Sequence, residues 1–121
     1  MRLAEEGAAV VVGDINEGAS KDVAAAIRAS GGQAIAVRVD ISDDASVAAL
    51  FATAMATYGG VDAVHVNAAD LRPETVMRDG DASTVSLDLF DHTLAVNLRG
   101  HLLCTRHAIP VLLERGGGAI A

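Results

Sequence analysis

The sequence predicts an α/β fold: a doubly wound parallel sheet of three strands and the start of a fourth, connected by crossover helices. The first observation is that short apolar runs, typical of strands covered on both faces, recur along the chain. The second is that helical segments of 14 or more residues separate these runs, which indicates parallel βαβ units. Right-handed crossovers between such units produce an open, twisted sheet. We expect residues 1–121 to form one domain.

The first half of the chain is predicted to hold two strands and two complete helices. An opening segment, 2–7, is typical of the last turns of a helix, with Gly7 as a left-handed cap. Asn16 is expected to cap the next helix and Ser42 the one after it. The strands are then 8–12 and 33–41, and the helices are 17–30 and 43–58.

The second half is predicted to hold a strand over 61–69, a polar loop over 70–85 and a long helix over 86–115, with the fourth strand beginning at 119. Pro110 is expected to bend the helix. The helix has apolar residues on more than one face, so more than one face should be buried. One face would cover the sheet. The other would pack on a second subunit, giving a homo-oligomer, or beneath another segment of the same chain.

Composition excludes several functional classes. The net charge of −7 argues against a nucleic-acid partner, which needs clustered basic residues. No apolar run approaches the ~18 residues of a membrane span. Cys104 is the one cysteine and cannot form an internal disulfide, which favours a cytoplasmic location. The spacing of the histidines predicts no metal site, and Cys104 is interpreted as a packing residue.

Asp14 is the first candidate site residue. It follows an apolar strand, where an acid of a dinucleotide-binding unit accepts the ribose hydroxyls. The glycine-rich phosphate loop that should lie roughly 20 residues earlier would precede Met1. No arginine follows within several residues to bind a 2′-phosphate, so NAD is favoured over NADP. The alternative is a solvated acid that helps to start the helix after Asn16.

Asn97 is the second candidate, because it interrupts an apolar helix. An amide buried there without a partner would cost about 1–3 kcal/mol, so we expect it to be hydrogen-bonded. The structural interpretation of Asn97, which is the alternative to a role in the site, is that its side chain ties the helix to a neighbouring loop.

Four segments in order resemble the short-chain dehydrogenase/reductase family. They are Asp14, the sequence VDIS at 39–42, VNAA at 66–69 and VNLRG at 96–100. The resemblance implies that Asp40 and Ile41 meet the adenine and that Asn97 is the helix asparagine of the catalytic set, holding a water of the proton relay. Asn67, Ala68 and Ala69 would then lie beside the cofactor. The family usually has asparagine where Val66 stands and glycine where Ala69 stands.

The resemblance also implies a partial Rossmann-type sheet, whose absent first strand would lie between strands 8–12 and 61–69 and leave two unpaired edges. The complete form would transfer a hydride between NAD and a small-molecule alcohol or ketone. The glycine loop and the catalytic Ser and Tyr-x-x-x-Lys group are not found within these 121 residues. We therefore expect residues 1–121 alone to be inactive and to bind NAD weakly.

Simpler interpretations stay open beside these. Asp40 would assist the helix that starts near Asp43, and residues 67–69 would be an ordinary strand exit. A rival for the function is a non-catalytic α/β module that self-associates through helix 86–115. A second rival is another Rossmann-type nucleotide binder, such as a sugar-nucleotide epimerase, which VNAA and VNLRG fit less well.

Overall fold

Strands and helices alternate in the computed structural model, which describes residues 1–78 and 80–121. The strands are β1 (Ala9–Asp14), β2 (Gln33–Arg38), β3 (Ala63–Val64) and β4 (Ala119–Ile120). The α-helices are α1 (Arg2–Glu5), α2 (Glu17–Ala29), α3 (Asp44–Tyr58), α4 (Pro73–Val76), α5 (Leu87–Leu94) and α6 (His101–Glu114). A π-helical segment, Ala95–Gly100, joins α5 directly to α6. The α/β class predicted from the sequence is confirmed.

The sheet consists of two parallel pairs. β1 pairs with β2, from Ala9 opposite Gln33 to Asp14 opposite Arg38, and β3 pairs with β4. Within residues 1–78 and 80–121, β1 has no partner on its second edge, and neither has β3. These are the two unpaired edges that the family resemblance implied. The parallel, doubly wound arrangement therefore appears here as two separate strand pairs.

Strand lengths differ from the predictions. β1 continues to Asp14, two residues beyond the predicted end at 12. β2 ends at Arg38 rather than at 41, because the Asp40 carboxylate accepts the Ser42 N–H and turns the chain. β3 covers only two of the nine predicted residues, because the partner strand along it is equally short.

The helix ends follow capping chemistry. The Asn16 side chain accepts the Ala19 N–H, as predicted, and Gly59 ends α3 with a left-handed φ of 73°. The prediction that Ser42 caps α3 was wrong: Asp43 is the cap, since its carboxylate accepts the N–H groups of residues 45 and 46. The Ser42 hydroxyl instead donates to Asp40.

Two apolar clusters form the core. The smaller one lies between α2 and the β1–β2 pair and is centred on Ala24, Ile27 and Ala34. The larger one joins α3 to α6 and reaches the β3–β4 pair. Its buried members are Val39, Ile41, Val47, Phe51, Leu103, Cys104, Ala108 and Leu112. Helix α3 contributes Val47 and Phe51 to the larger cluster.

The predicted long helix is present from Leu87 to Glu114 and begins at a Ser86 cap. Pro110 lies inside α6. The loop predicted over 70–85 contains the short helix α4, which begins with proline at its first position. Among the residues that the structure describes, no helix combines the length and apolar character that a bilayer crossing requires.

Candidate functional site

The first part of the site is the edge where β1 and β2 end. The two strands are parallel, so their carboxyl ends lie together, and the Val39 N–H donates to the Asp14 carbonyl at 3.0 Å. Asp14 and Asp40 are therefore brought to one edge of the sheet. Ligands of open α/β sheets bind at such edges.

Asp14 is exposed at this edge. Its Oδ1 accepts the Asn16 N–H at 2.8 Å. This is the contact expected if Asp14 is a solvated acid that helps to start α2. No partner of Oδ2 is found among residues 1–78 and 80–121, so that oxygen can accept a further hydrogen bond. The geometry therefore allows Asp14 to help start α2 through Oδ1 and to accept a ribose hydroxyl through Oδ2.

Asp40 and Ile41 form a rigid turn. The Asp40 Oδ1 accepts the Ser42 N–H at 2.9 Å and the Ser42 hydroxyl at 2.6 Å, and the Asp40 N–H donates to the Ser46 Oγ at 2.9 Å. The hydrogen bond from Ser42 holds the pKa of Asp40 below its ordinary value, against the effect of burial. Ile41 is buried in the larger core cluster. Any contact of Ile41 with a ligand would therefore involve its backbone.

The exit of β3 forms the second part of the site. Asn67, Ala68 and Ala69 are all exposed there. The Ala68 carbonyl accepts from the His101 Nε2 at 2.8 Å, and the Asp70 N–H donates to the Asn97 Oδ1 at 3.1 Å. The side chains at 97 and 101, four residues apart on the long helix, thus hold the segment 68–70 from one side.

The π-helical segment connects the two strand exits. Gly100 lies so close to the turn after β2 that a Cβ there would stand 2.7 Å from the Ile41 Cδ1 and 3.0 Å from the Ile41 carbonyl oxygen. The Arg99 guanidinium donates to the Ser42 carbonyl of the same turn. Through Asn97 the segment also contacts the exit of β3. It therefore brings residues 40–42, 68–70 and 97 together, and π-helical turns of this kind are frequent at functional sites.

Asp70 forms the most densely bonded polar group near the site. Its side chain is 4% exposed. The carboxylate accepts from Arg72 (Nε at 2.8 Å and Nη2 at 2.7 Å), from the Thr75 Oγ1 at 2.9 Å and from the His92 Nε2 at 2.7 Å. These bonds, that of Arg72 foremost, hold the pKa of Asp70 far below its ordinary value. We call Asp70, Arg72, Thr75 and His92 the Asp70 cluster.

Sequence reasoning missed the Asp70 cluster and His101. Asp70 directly follows the predicted strand 61–69, which is the signal that singles out Asp14, but it is the first residue of the predicted polar loop 70–85. The signal for His101 was its position four residues after Asn97. Arg72 stands only two residues after Asp70, but His92 carried no local signal, because the chain brings it to Asp70 only when it folds.

Two further predictions concern metal and cysteine. Across residues 1–78 and 80–121, no group of three or more His, Cys, Asp or Glu side chains has an arrangement that would hold a metal ion. Cys104 is buried, and burial raises the pKa of its thiol. Cys104 belongs to the larger core cluster, as its interpretation as a packing residue requires.

The parallel strand pairs and the crossover helices define a partial Rossmann-type α/β unit. A family model described as enoyl-(acyl carrier protein) reductase matches residues 1–121. The chain belongs to the short-chain dehydrogenase/reductase family, as its motifs indicated.

Individual relatives agree with this assignment. The chain is 40% identical over 118 residues to the cis-4-hydroxycyclohexanecarboxylate dehydrogenase of Sinomonas cyclohexanicum. It is 38% identical over 119 residues to a 2,5-dichloro-2,5-cyclohexadiene-1,4-diol dehydrogenase of Sphingobium indicum. The crystal structure of a 3-ketoacyl-ACP reductase from Sinorhizobium meliloti 1021 matches with a TM-score of 0.89 and 31% identity. Each match covers 98% of this chain but 45% of the other protein.

Proposed function

We propose that the whole protein that contains residues 1–121 is an oxidoreductase that transfers a hydride between NAD and a small-molecule alcohol or ketone. The observation that carries this proposal is the π-helical segment, since it joins the turn after β2 to the exit of β3 and places Asn97 between them. The cofactor would lie across these exits, and the proposal extends the family's dehydrogenase chemistry to this chain.

The residues present fit the adenosine half of NAD. Asp14 is exposed and offers its Oδ2, while Oδ1 is held by the Asn16 N–H, so the carboxylate is oriented before a ribose arrives. Ala68 and Ala69 are small and exposed, which allows a close approach to the backbone at the β3 exit. When bound, NAD supplies the hydride acceptor. Within this chain the adenosine would be held by Asp14, Asp40 and Ile41. The cofactor would also lie beside the β3 exit, at Asn67, Ala68 and Ala69.

The preference for NAD over NADP is tested by replacing Asp14. In Asp14→Ala the repulsion of a 2′-phosphate is lost, while Arg38, which stands opposite position 14 in the β1–β2 pair, remains. We expect the ratio of kcat/KM for NAD to kcat/KM for NADP to fall at least about tenfold, equivalent to ~1.4 kcal/mol. Initial rates with both cofactors measure it. Glu17→Gln, which removes a nearby surface acid paired with Lys21, is the control and should leave the ratio unchanged. An unchanged ratio in Asp14→Ala would disprove the role of Asp14.

Asn97 would act in the proton relay by holding a water, as the family resemblance implies. Its Oδ1 is already bonded to the Asp70 N–H, so the contact of the structural interpretation is present. This hydrogen bond is compatible with a role of Asn97 in the relay, because it fixes the position of the Asn97 side chain. The serine, tyrosine and lysine of the relay are not recognised within residues 1–121. We therefore propose that these residues alone have no turnover.

The names of the relatives guide the choice of substrate. Two of them are dehydrogenases of a hydroxycyclohexanecarboxylate and of a cyclohexadiene diol, both alicyclic alcohols. We propose an alicyclic secondary alcohol as the substrate class. Formation of reduced nicotinamide by the whole protein with NAD and such alcohols would support the proposal. No reduction of NAD or NADP with any of them would favour the non-catalytic module.

The outer face of the long helix carries an apolar stripe, which we propose as the contact with a second copy. Its members, each 40–74% exposed, are Leu87, Phe90, Leu94, Leu98, Leu102, Ile109 and Leu113. Asp91 and Arg99 flank the stripe, four residues before and after Ala95. In an antiparallel pair related by a two-fold axis near Ala95, each Asp91 would face an Arg99 of the other copy. This charge pattern favours a second copy over another apolar segment as the occupant.

A charged residue in the middle of the stripe should separate the copies. We expect the double variant Leu98→Glu/Leu102→Glu of the whole protein to be monomeric, because each helix pair would bury four carboxylates, two from each copy. Light scattering coupled to size exclusion measures the mass. Met77→Glu, an exposed apolar position away from the stripe, should keep the parent's oligomeric mass. A double variant with that same mass would show that the stripe is not the interface.

A cytoplasmic location is part of the same proposal. It is supported by the single cysteine, which is buried and unpaired.

A further inference from the structure

We propose that Asp70 is a positioning residue for the reaction, which sets Asn97 through the backbone at the exit of β3. This inference rests on the proposed function, because it assigns Asp70 the task of holding a residue of the proton relay. Asp70 lies on none of the four family segments that identified the other candidates. The inference is drawn from the contacts of the Asp70 cluster.

The carboxylate of Asp70 is fixed from two directions. Arg72 and Thr75 bind it from the segment that follows in the chain, and His92 binds it from α5. Removal of the carboxylate would leave the guanidinium, the hydroxyl and the ring nitrogen without their shared acceptor. The cluster therefore ties the segment 70–75 to the long helix.

The hydrogen on His92 can be placed from the geometry. An ionised carboxylate only accepts, so the His92 Nε2, 2.7 Å from the Asp70 Oδ2, must carry the hydrogen. The Arg72 Nη2, 3.2 Å from the same nitrogen, then faces another donor and makes no hydrogen bond with it. Both donors are satisfied only by the carboxylate between them. Asp70→Asn would replace one acceptor oxygen with a donor and break this arrangement.

The backbone of Asp70 transmits the position of the cluster to Asn97. The Asp70 N–H donates to the Asn97 Oδ1 at 3.1 Å, and no other partner of the Asn97 amide is present in the described part of the chain. The orientation of the Asn97 side chain thus depends on one backbone group, and the carboxylate of that same residue is anchored four times by side-chain donors. A displacement of about 1 Å at a reacting group can lower a rate ~100-fold.

The test is a double-mutant cycle in the whole protein. We expect Asp70→Asn to lower kcat about 10- to 100-fold while the KM for NAD stays within about twofold. In the background of Asn97→Ala the same change should lower kcat by less than about twofold, because the residue through which Asp70 acts is gone. The proposal would be overturned if Asp70→Asn lowered kcat by the same factor in the parent and in Asn97→Ala. It would also be overturned if Asp70→Asn had no effect on kcat.

A second measurement does not depend on activity. Hydrogen exchange of the backbone amide at position 70 should accelerate at least about tenfold in Asp70→Asn, and unchanged exchange would overturn the proposal. Glu74→Gln is the control, because Glu74 lies beside Thr75 in α4 but outside the Asp70 cluster. It should change neither kcat nor the exchange rate of the amide at position 70. If Asp70→Asn does not fold, Thr75→Val is the second variant, since it removes one donor to Asp70 with little change of shape. It should change kcat and the exchange rate in the same direction as Asp70→Asn, but by smaller factors.

The two proposals fail separately. If Asn97→Ala leaves kcat unchanged, the relay role of Asn97 in the proposed function is wrong. The exchange rate at position 70 then decides alone whether the Asp70 cluster positions the backbone against Asn97.

Discussion

Replacement of Asn97 with alanine is expected to lower the kcat of the whole protein about 100-fold or more, with little change in the KM for NAD. General acid–base catalysis contributes roughly 10²- to 10⁴-fold to enzymatic rates, and loss of an ordered proton relay forfeits part of that factor. Asn97 is positioned for such a role, since its side-chain Oδ1 accepts the Asp70 N–H at the exit of β3. Steady-state kinetics with NAD as the varied substrate separate the two constants.

The matched control for Asn97→Ala is Thr93→Ala. Thr93 lies one turn earlier on the same helix and makes no hydrogen bond through its side chain among residues 1–78 and 80–121. We expect its replacement to leave kcat within about twofold. If Asn97→Ala were as active as Thr93→Ala, Asn97 would be a structural residue that ties the helix to the loop and nothing more.

Gly100→Ala is expected to destabilise the protein by about 1–3 kcal/mol. The added Cβ would stand 2.7 Å from two carbons of the Ile41 side chain and 3.0 Å from the Ile41 carbonyl oxygen. The side chain cannot move aside easily, because Ile41 is buried in the larger core cluster, and the carbonyl belongs to the turn that Asp40 fixes. The turn would shift, so the KM for NAD should rise as well. Urea denaturation and initial rates measure the two effects.

Gly18→Ala is the control for the glycine experiment. Gly18 lies in α2, and a Cβ there would meet only the Asn16 Oδ1 at 3.4 Å, an ordinary contact distance. An alanine in that helix should be neutral or stabilising by up to ~1 kcal/mol. If Gly100→Ala proved as stable as Gly18→Ala, the close approach between the π-helical segment and the turn after β2 would not be real.

The sequence predicted the features that local chemistry determines. The Asn16 cap and the left-handed Gly7 depend on residues within a few positions of each other, and both were found. Ser42 and Asp43 both carry good capping side chains. The choice between them depended on Asp40, which binds the Ser42 hydroxyl, so neighbouring hydrogen bonds decided the helix start.

The features that escaped prediction depend on long-range contacts. The apolar pattern of the long helix is the same for an α-helix and for one that contains a π-helical turn, so the segment Ala95–Gly100 had no distinct signal. The length of β3 depends on the strand with which it pairs. The Asp70 cluster joins residues 22 positions apart, from Asp70 to His92, and no pattern along the chain announces such a pair.

We propose that the strand exits around the π-helical segment hold NAD, with its adenosine half at Asp14 and Asp40 and with Asn97 at the β3 exit. A crystal structure of the whole protein with NAD tests it most directly. We expect the adenosine ribose hydroxyls on the Asp14 carboxylate, the adenine against the backbone of Asp40 and Ile41, and the Asn97 Oδ1 still bonded to the Asp70 N–H. A nucleotide bound elsewhere, with Asp14 and Asp40 open to solvent, would contradict it.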